Sequence, residues 1–126
     1  MNLVVSVPPS LLAAQARSAT RRLAGTLEAT ARSEPEELSR VVAALRLLAD
    51  DVAEVLPALQ RLLEDGLLGG RIERRGHPVG AAVDAVTAVG HALGQARADA
   101  RSIADGLASA GVVLQGLAAA AEEQPG

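Results

Sequence analysis

Few residues in this chain could carry chemistry, and their spacing does not favour it. Of the two histidines, only His91 shares a predicted helix with a nearby carboxylate, Asp84, which lies two turns earlier. The acid pairs Asp50-Asp51 and Glu64-Asp65 are adjacent in sequence, and adjacent residues on a helix point in different directions. A paired general acid and base would need a second element beside them. We therefore expect no catalytic residue, no metal ligand and no cofactor, and a protein that is not an enzyme.

Known catalytic and phosphate-binding motifs are absent from the sequence. It contains no Ser-His-Asp order of catalytic residues and no HExxH motif. The glycine-rich residues 66–76 lack the Lys and Ser/Thr that bind phosphate in a P-loop. The same segment does hold a basic cluster beside His77, formed by Arg71, Arg74 and Arg75. A solvated loop is the simpler interpretation, and a site for an anionic partner is the alternative. The net charge of −3 and the absence of aromatic residues for base stacking argue against nucleic acid.

The composition restricts the kind of core that the chain can build. The 126 residues suit a single helical domain over 1–126, and they include no Phe, Tyr, Trp or Cys. The core must therefore consist of Leu, Val, Ile and many Ala, which fill close helix-helix contacts but not wide gaps. All 12 basic residues are Arg. We attribute this bias to a GC-rich, bacterial type of coding sequence.

The stretch from Val79 to Ala121 has the strongest pattern in the chain. Apolar residues alternate at spacings of three and four without a polar interruption, which predicts a long helix whose stripe is covered by another helix, as in a coiled coil. Gly90 and Gly111 fall beside this stripe and indicate close approach, whereas Gly94 and Gly116 lie on the outer face without a packing reason. The stripe consists of Val79, Ala82, Val86, Val89, Leu93, Ala96, Ala100, Ile103, Leu107, Ala110, Leu114, Leu117 and Ala121.

Two further helices precede it. We predict helix 1 at about 9–32, helix 2 at about 34–65, a loop at 66–77, helix 3 at about 78–121 and a flexible tail at 122–126. Helix 2 should start at the capping pattern Ser33 to Glu36, bend near Pro57 on its solvent side, and end with a cap at Gly66. Its stripe repeats the same alternation through Leu38, Val41, Leu45, Leu48, Val52, Val55, Leu59 and Leu62.

The predicted lengths of helices 2 and 3 do not match. At 1.5 Å per residue helix 3 is about 65 Å long and helix 2 about 46 Å. Either helix 3 breaks near its glycines, or residues 107–121 project past helix 2 with an uncovered stripe. The sequence leaves this open, and it also leaves open whether helix 1 folds back on helix 2 or continues it.

Membrane insertion and secretion are not expected from the sequence. The uncharged run from Gly106 to Ala121 has 16 residues, fewer than the roughly 20 that a span requires. The first ten residues lack a basic start and are interrupted by Pro8 and Pro9, so we do not expect a cleaved signal peptide. We expect a cytoplasmic protein. A phasin-like coat on an apolar surface is a further alternative, because an opened bundle could adsorb through its stripes.

Residues 1–14, MNLVVSVPPSLLAA, resemble the start of the PE family of secreted helical-hairpin proteins, which commonly open with V-x-x-x-P-x-x-L before a small-residue helix. The resemblance covers about a tenth of the chain and implies a type VII secretion substrate, exported without a cleaved signal peptide, that pairs with a second helical protein. This chain has Pro9 where the family has an acid, Leu3 where it has an aromatic residue, and no Tyr for its secretion motif. The positions that match are Val4, Pro8, Leu11, Ala13 and Ala14.

Together these patterns predict an all-α protein, either a three-helix antiparallel bundle or a long helical hairpin with a coiled-coil-like seam. The predicted function is a non-enzymatic interaction or assembly module that pairs with itself or with another helical protein. The PE-like secreted protein and the surface coat are the alternatives. The predicted interaction residues on helix 3 are Leu93, Ala96, Ala100, Ile103, Leu107, Ala110, Leu114 and Leu117.

Overall fold

The computed structural model describes residues 7–68 and 79–123, which form three α-helices and no strands. The helices are α1 (Pro9–Ala29), α2 (Pro35–Leu68) and α3 (Val79–Glu123). The predicted all-α class is therefore confirmed, and α2 and α3 pack extensively against each other. The chain divides into two compact units, residues 1–33 and residues 34–126.

The first unit contains α1. The helix starts where proline is best tolerated, because the N–H that Pro9 lacks would have no partner in a first turn. The carbonyl of Pro8 accepts hydrogen bonds from the backbone N–H groups of Leu11 and Leu12, at 3.0 and 3.3 Å. At the other end Thr30 is extended and its N–H donates to the carbonyl of Leu27. No residue of α1 is buried.

The second unit is built on α2, which begins at Pro35 and runs through Pro57 and Gly66 to Leu68. Glu36 and Glu37 lie in its first turn, where carboxylates complement the positive end of the helix dipole. Two expectations need correction here. Gly66 is a buried residue inside the last turn rather than a cap, and Pro57 is half-buried, because it lines a depression between the helices together with Gly94.

The third helix is continuous over 45 residues, so its glycines do not break it. Its C-terminal half also does not project beyond α2. A Cβ built on Gly111 would lie 3.8 Å from Cγ1 of Val42, and the side chain of Glu122 reaches Glu36 in the first turn of α2. Helix α3 is therefore neither broken at its glycines nor left uncovered over residues 107–121. The reason is that α2 runs antiparallel to α3 and lies along its C-terminal half.

The most deeply buried part of the contact between these helices consists mainly of alanine. The buried apolar residues are Ala49, Ala53, Val86, Ala100 and Ala104, with 2% to 9% of their surface exposed. We call the buried and half-buried positions on the line of contact the seam. On α3 the seam advances 36 residues in ten steps from Ala82 to Ala118, which is the 3.6-residue period of a straight helix rather than the predicted 3.5. The seam consists of Leu38, Val42, Leu45, Ala49, Ala53, Leu56, Gln60, Leu63 and Leu67 on α2, and Ala82, Val86, Gly90, Leu93, Arg97, Ala100, Ala104, Leu107, Gly111, Leu114 and Ala118 on α3.

If small residues set the separation of α2 and α3, then Ala53→Leu destabilises the protein. Ala53 is 2% exposed, so the larger side chain must push the helices apart, at a cost of about 1–3 kcal/mol. Urea unfolding followed by circular dichroism measures the change. Ala98→Leu, at an exposed position of α3, is the matched control and should change stability by less than about 0.5 kcal/mol. Equal losses in the two variants would show that Ala53 is not in the contact.

Glycines outside the contact should be replaceable. A Cβ on Gly116 meets nothing within 4 Å, so Gly116→Ala should raise the free energy of unfolding by about 1 kcal/mol through helix propensity alone. A Cβ on Gly90 would lie 2.8 Å from Nε2 of Gln60, so Gly90→Ala should gain clearly less, because Gln60 has to move. The same urea titration compares the two variants, and a larger gain at position 90 would contradict the close approach there.

Candidate interaction surface

The seam divides the surface of the α2–α3 pair into two faces. Glu54 follows Ala53 and Arg101 follows Ala100, and the two side chains meet across the helices with 4.0 Å between nitrogen and oxygen. Nearer the start of α2, residues that follow seam positions on both helices line one shared depression: Ser39, Ala43 and Arg46 with Ala108, Val112 and Gln115. Residues one position after the seam therefore lie on the same side of the pair. We call this side the charged face, because it also carries Asp50, Arg61, Glu64, His91 and Asp105.

Residues one position before the seam must lie on the opposite side. Successive residues of an α-helix are about 100° apart, so the positions before and after the seam point in opposite directions from it on both helices. Nearly all of these preceding positions are apolar or glycine. We call this side the apolar face; it consists of Val41, Ala44, Leu48, Val52, Val55, Leu59 and Leu62 on α2, and Val89, Ala92, Ala96, Ile103, Gly106, Ala110, Val113 and Leu117 on α3.

The large side chains of the apolar face are exposed, apart from the half-buried Val41. Leu62 is 68% exposed and Ile103 58% exposed, whereas Ala53 in the seam is 2% exposed. The face is about 42 Å long from Val89 to Leu117 and about 20 Å wide, the width of two adjacent helices. Monomeric soluble proteins rarely expose an apolar patch of more than a few hundred Å². This face is large enough to act as a binding surface.

Two of the preceding positions are acidic, Glu37 before Leu38 and Asp99 before Ala100. Asp99 stands between Ala96 and Ile103 in the α3 row. It is exposed, and its Oδ1 accepts a hydrogen bond of 2.9 Å from Nε2 of Gln95 on the same helix. The carboxylate is thereby held toward the outer edge of α3. The acid lies at the rim of the apolar face rather than within it.

The predicted interaction residues fall into two groups. Leu93, Ala100, Leu107 and Leu114 are seam residues that are buried or half-buried in the pair, with Ala100 only 7% exposed. The other four belong to the apolar face, and among them Ile103 and Leu117 are 58% and 55% exposed. The predicted stripe of helix 2 divides in the same way, since Leu38 and Leu45 are in the seam. Its other members, Val41, Leu48, Val52, Val55, Leu59 and Leu62, belong to the apolar face.

Sequence analysis placed Gly90 and Gly111 beside the stripe but did not identify Ala49 and Ala53, the buried small residues of α2. Ala49, Ala53 and Ala104 are buried, and Gly90 and Gly111 allow close approach. The sequence pattern that indicates these seam residues is a row of small residues, spaced 3.6 residues apart on average and displaced by one position from the stripe of large residues. Large apolar side chains are the usual predicted core residues, because each of them buries more apolar area.

The remaining candidate residues do not form a reactive group. Arg71, Arg74, Arg75 and His77 lie outside the described residues. His91 and the acids Asp50, Asp51 and Glu64 are exposed, and Oε1 of Glu64 accepts a 2.8 Å hydrogen bond from Nε2 of Gln60. Within residues 7–68 and 79–123, no three His, Asp or Glu side chains are placed to hold a metal ion.

The second unit is acidic. Its two helices contain seven acids and three arginines in α2, and five acids and two arginines in α3, which gives −4 and −3 and a total of −7. The ion pairs are exposed, such as Arg40 with Glu37 at 3.3 Å, and each contributes at most about 1 kcal/mol. Charge therefore contributes little to the packing of α2 on α3.

Two carboxyl groups meet where α2 begins and α3 ends. A hydrogen bond to Glu36, reinforced by repulsion from its charge and a small loss of hydration, raises the pKa of Glu122 above its ordinary value of 4.5. The folded state thus holds a proton at this end that the unfolded chain releases more readily. When both groups are ionised, the pair is repulsive.

The third helix also satisfies the length and composition of a membrane span. Within Gly80–Glu122 its most apolar window has a mean hydropathy of 1.5, and 6% of that window is buried. A single helix of this kind is weak evidence for a span. The expectation that the chain has no membrane span stays a prediction.

No family model, curated protein or solved structure matches this chain. The apolar face must therefore be interpreted from its own geometry.

The raised pKa of Glu122 predicts a pH-dependent effect of Glu122→Gln. A group whose pKa is raised on folding stabilises the folded state below its unfolded pKa, and this contribution is lost as the pH rises through the folded value. The amide keeps a donor for Glu36 and carries no charge. The variant should thus be more stable than the wild type at neutral pH, and the difference should vanish well below pH 4.5.

Urea midpoints of the two proteins, measured on both sides of this range, test the prediction. Asp105→Asn removes one exposed acid elsewhere on α3 and is the control. A gain from Glu122→Gln that is the same at acid and neutral pH, or that equals the gain from Asp105→Asn, would contradict the coupling to Glu36.

Proposed function

We propose that this protein is a non-enzymatic interaction module that binds another helical surface through its apolar face. The observation that carries the proposal is the two-sided α2–α3 pair. One face is charged, and the other exposes a row of mostly Leu and Val on α2 and a row of Val, Ile, Leu, Ala and Gly on α3. Binding would bury a surface that is already formed, so little ordering of the backbone would oppose it.

The energetics allow binding without guaranteeing that it is tight. Nine large side chains of the face, each about half exposed, would gain about 7–14 kcal/mol in total if buried. Loss of translational and rotational freedom costs about 4–15 kcal/mol. Shape complementarity therefore decides the affinity, and a partner must match the ridges of the face rather than simply be apolar.

A coat or adsorption function on an apolar surface is the second candidate, and the hydropathy of α3 favours it. Two features oppose insertion into a bilayer. Helices α2 and α3 have a combined net charge of −7, which anionic lipids repel, and α2 lies along α3 with ten charged side chains. Each Asp, Lys or Arg carried to the centre of a bilayer costs about 2.5–3.5 kcal/mol.

The PE-like alternative remains a proposal as well. It rests on the N-terminal resemblance, and it requires a different helical protein as the partner and export of the protein from the cell. The apolar face would suit such a partner. Detection of the protein outside the cell, together with a co-purifying helical protein, separates this alternative from a cytoplasmic assembly module.

The proposal predicts that the apolar face is covered inside the cell. The chain has no cysteine, so a single thiol introduced by Val55→Cys on the apolar face or Asp50→Cys on the charged face reacts alone. Labelling with a membrane-permeant maleimide in intact cells, followed by mass spectrometry, should be several-fold slower at position 55 than at position 50. After unfolding, both positions should react at the same rate. Equal labelling of the two folded variants in cells would overturn the proposal.

A further inference from the structure

We infer that the apolar face is covered by a second copy of this chain. Two α2–α3 pairs would stack face to face into a four-helix bundle. The symmetry axis would place α2 of one copy over α3 of the other. This inference rests on the proposed function, because it names the partner of the same face.

The width of the face favours a two-helix partner. It is about 20 Å wide, whereas a single helix with its side chains is about 10–12 Å in diameter and would leave half of the face in water. Its area of about 800 Å² equals what each partner of a stable protein complex usually buries. A second α2–α3 pair has these dimensions.

The shape of the apolar face, with one high row and one low row of side chains, is complementary to itself. The α2 half forms an unbroken row of large side chains from Leu48 to Leu62. The α3 half is lower, because small residues stand at Ala92, Ala96, Gly106 and Ala110, on either side of Ile103. A two-fold axis that brings α2 of each copy over α3 of the other sets the row of large α2 residues against the lower α3 row at both contacts. Isologous dimers require a surface that is complementary to itself in this way.

The charges are compatible with self-association when they are screened. Stacking through the apolar face leaves the charged face of each copy in water, and the acids beside the apolar face, Asp51, Asp84 and Asp99, are exposed at its rim. Each copy of the chain nevertheless has a net charge of −3, with −7 on α2 and α3, so two copies repel each other at low ionic strength. Association of like copies therefore strengthens as salt is added, whereas association with a basic partner weakens.

Sedimentation equilibrium of the full-length chain tests the inference. At about 100 µM the chain should be a dimer, and the dissociation constant should fall as NaCl rises from about 0.05 to 0.5 M. Ala110→Leu fills the low half of the face and should weaken the dimer by about tenfold. Ala98→Leu adds the same side chain on the charged face and should leave the dissociation constant unchanged. Circular dichroism confirms that both variants are folded.

A chain that stays monomeric under all these conditions overturns the inference, and so does an Ala110→Leu variant that dimerises more tightly. Binding of the monomer to neutral phosphatidylcholine vesicles, with no dimer in solution, assigns the face to a lipid surface and also overturns it. The proposed function fails separately. A monomeric chain whose thiol at position 55 is protected in cells has a different protein partner, whereas a monomer with an unprotected thiol contradicts both proposals.

Discussion

The close approach of α2 and α3 is the constraint on which the rest of this molecule depends. Two helices can pack at short range only if the side chains between them are small, and here Ala49, Ala53, Ala100 and Ala104 occupy the centre of the contact. A chain without aromatic residues has no large side chains with which to fill a wider gap. Once alanines form the contact, the leucines and valines one position away are turned out of it. The exposed apolar face is therefore a direct consequence of how the pair is packed.

The sequence predicts the elements of this fold well and their orientation only in part. The uninterrupted alternation of apolar residues in helix 3 predicts a long helix against a partner, and α3 packs along α2 as expected. Which residues face α2 could not be deduced, because a 3.5-residue stripe of large side chains and a 3.6-residue stripe of small ones differ by a rotation of one residue. Leu93 and Ile103 belong to the same predicted stripe, yet the first lies in the seam and the second is 58% exposed. The hydrophobic area that each residue can bury predicts that the large residues form the contact. The short separation of the two backbones instead requires small residues there.

The functional proposals follow from this rotation. Had Leu48, Val52, Val55 and Leu59 formed the contact, much of this apolar area would be buried within the pair. Instead the second unit has a charged face that water solvates well and an apolar face that water solvates poorly. Only the apolar face would be stabilised by a covering partner. The basic residues Arg71, Arg74 and Arg75 stay a predicted site outside the described residues. These three arginines do not bear on the proposed binding function of the apolar face.

The identity of the residues that contact each other across α2 and α3 decides the account most directly. Nuclear Overhauser effects between assigned methyl groups, combined with a soluble paramagnetic agent, measure it in the purified chain. The account predicts effects between the methyl groups of Ala53 and Ala100, and protection of the Ala53 methyl from the agent. Contacts within one chain between the methyl groups of Val52 and Ile103, with the Ala53 methyl open to the agent, would show that the large residues form the contact and would contradict it.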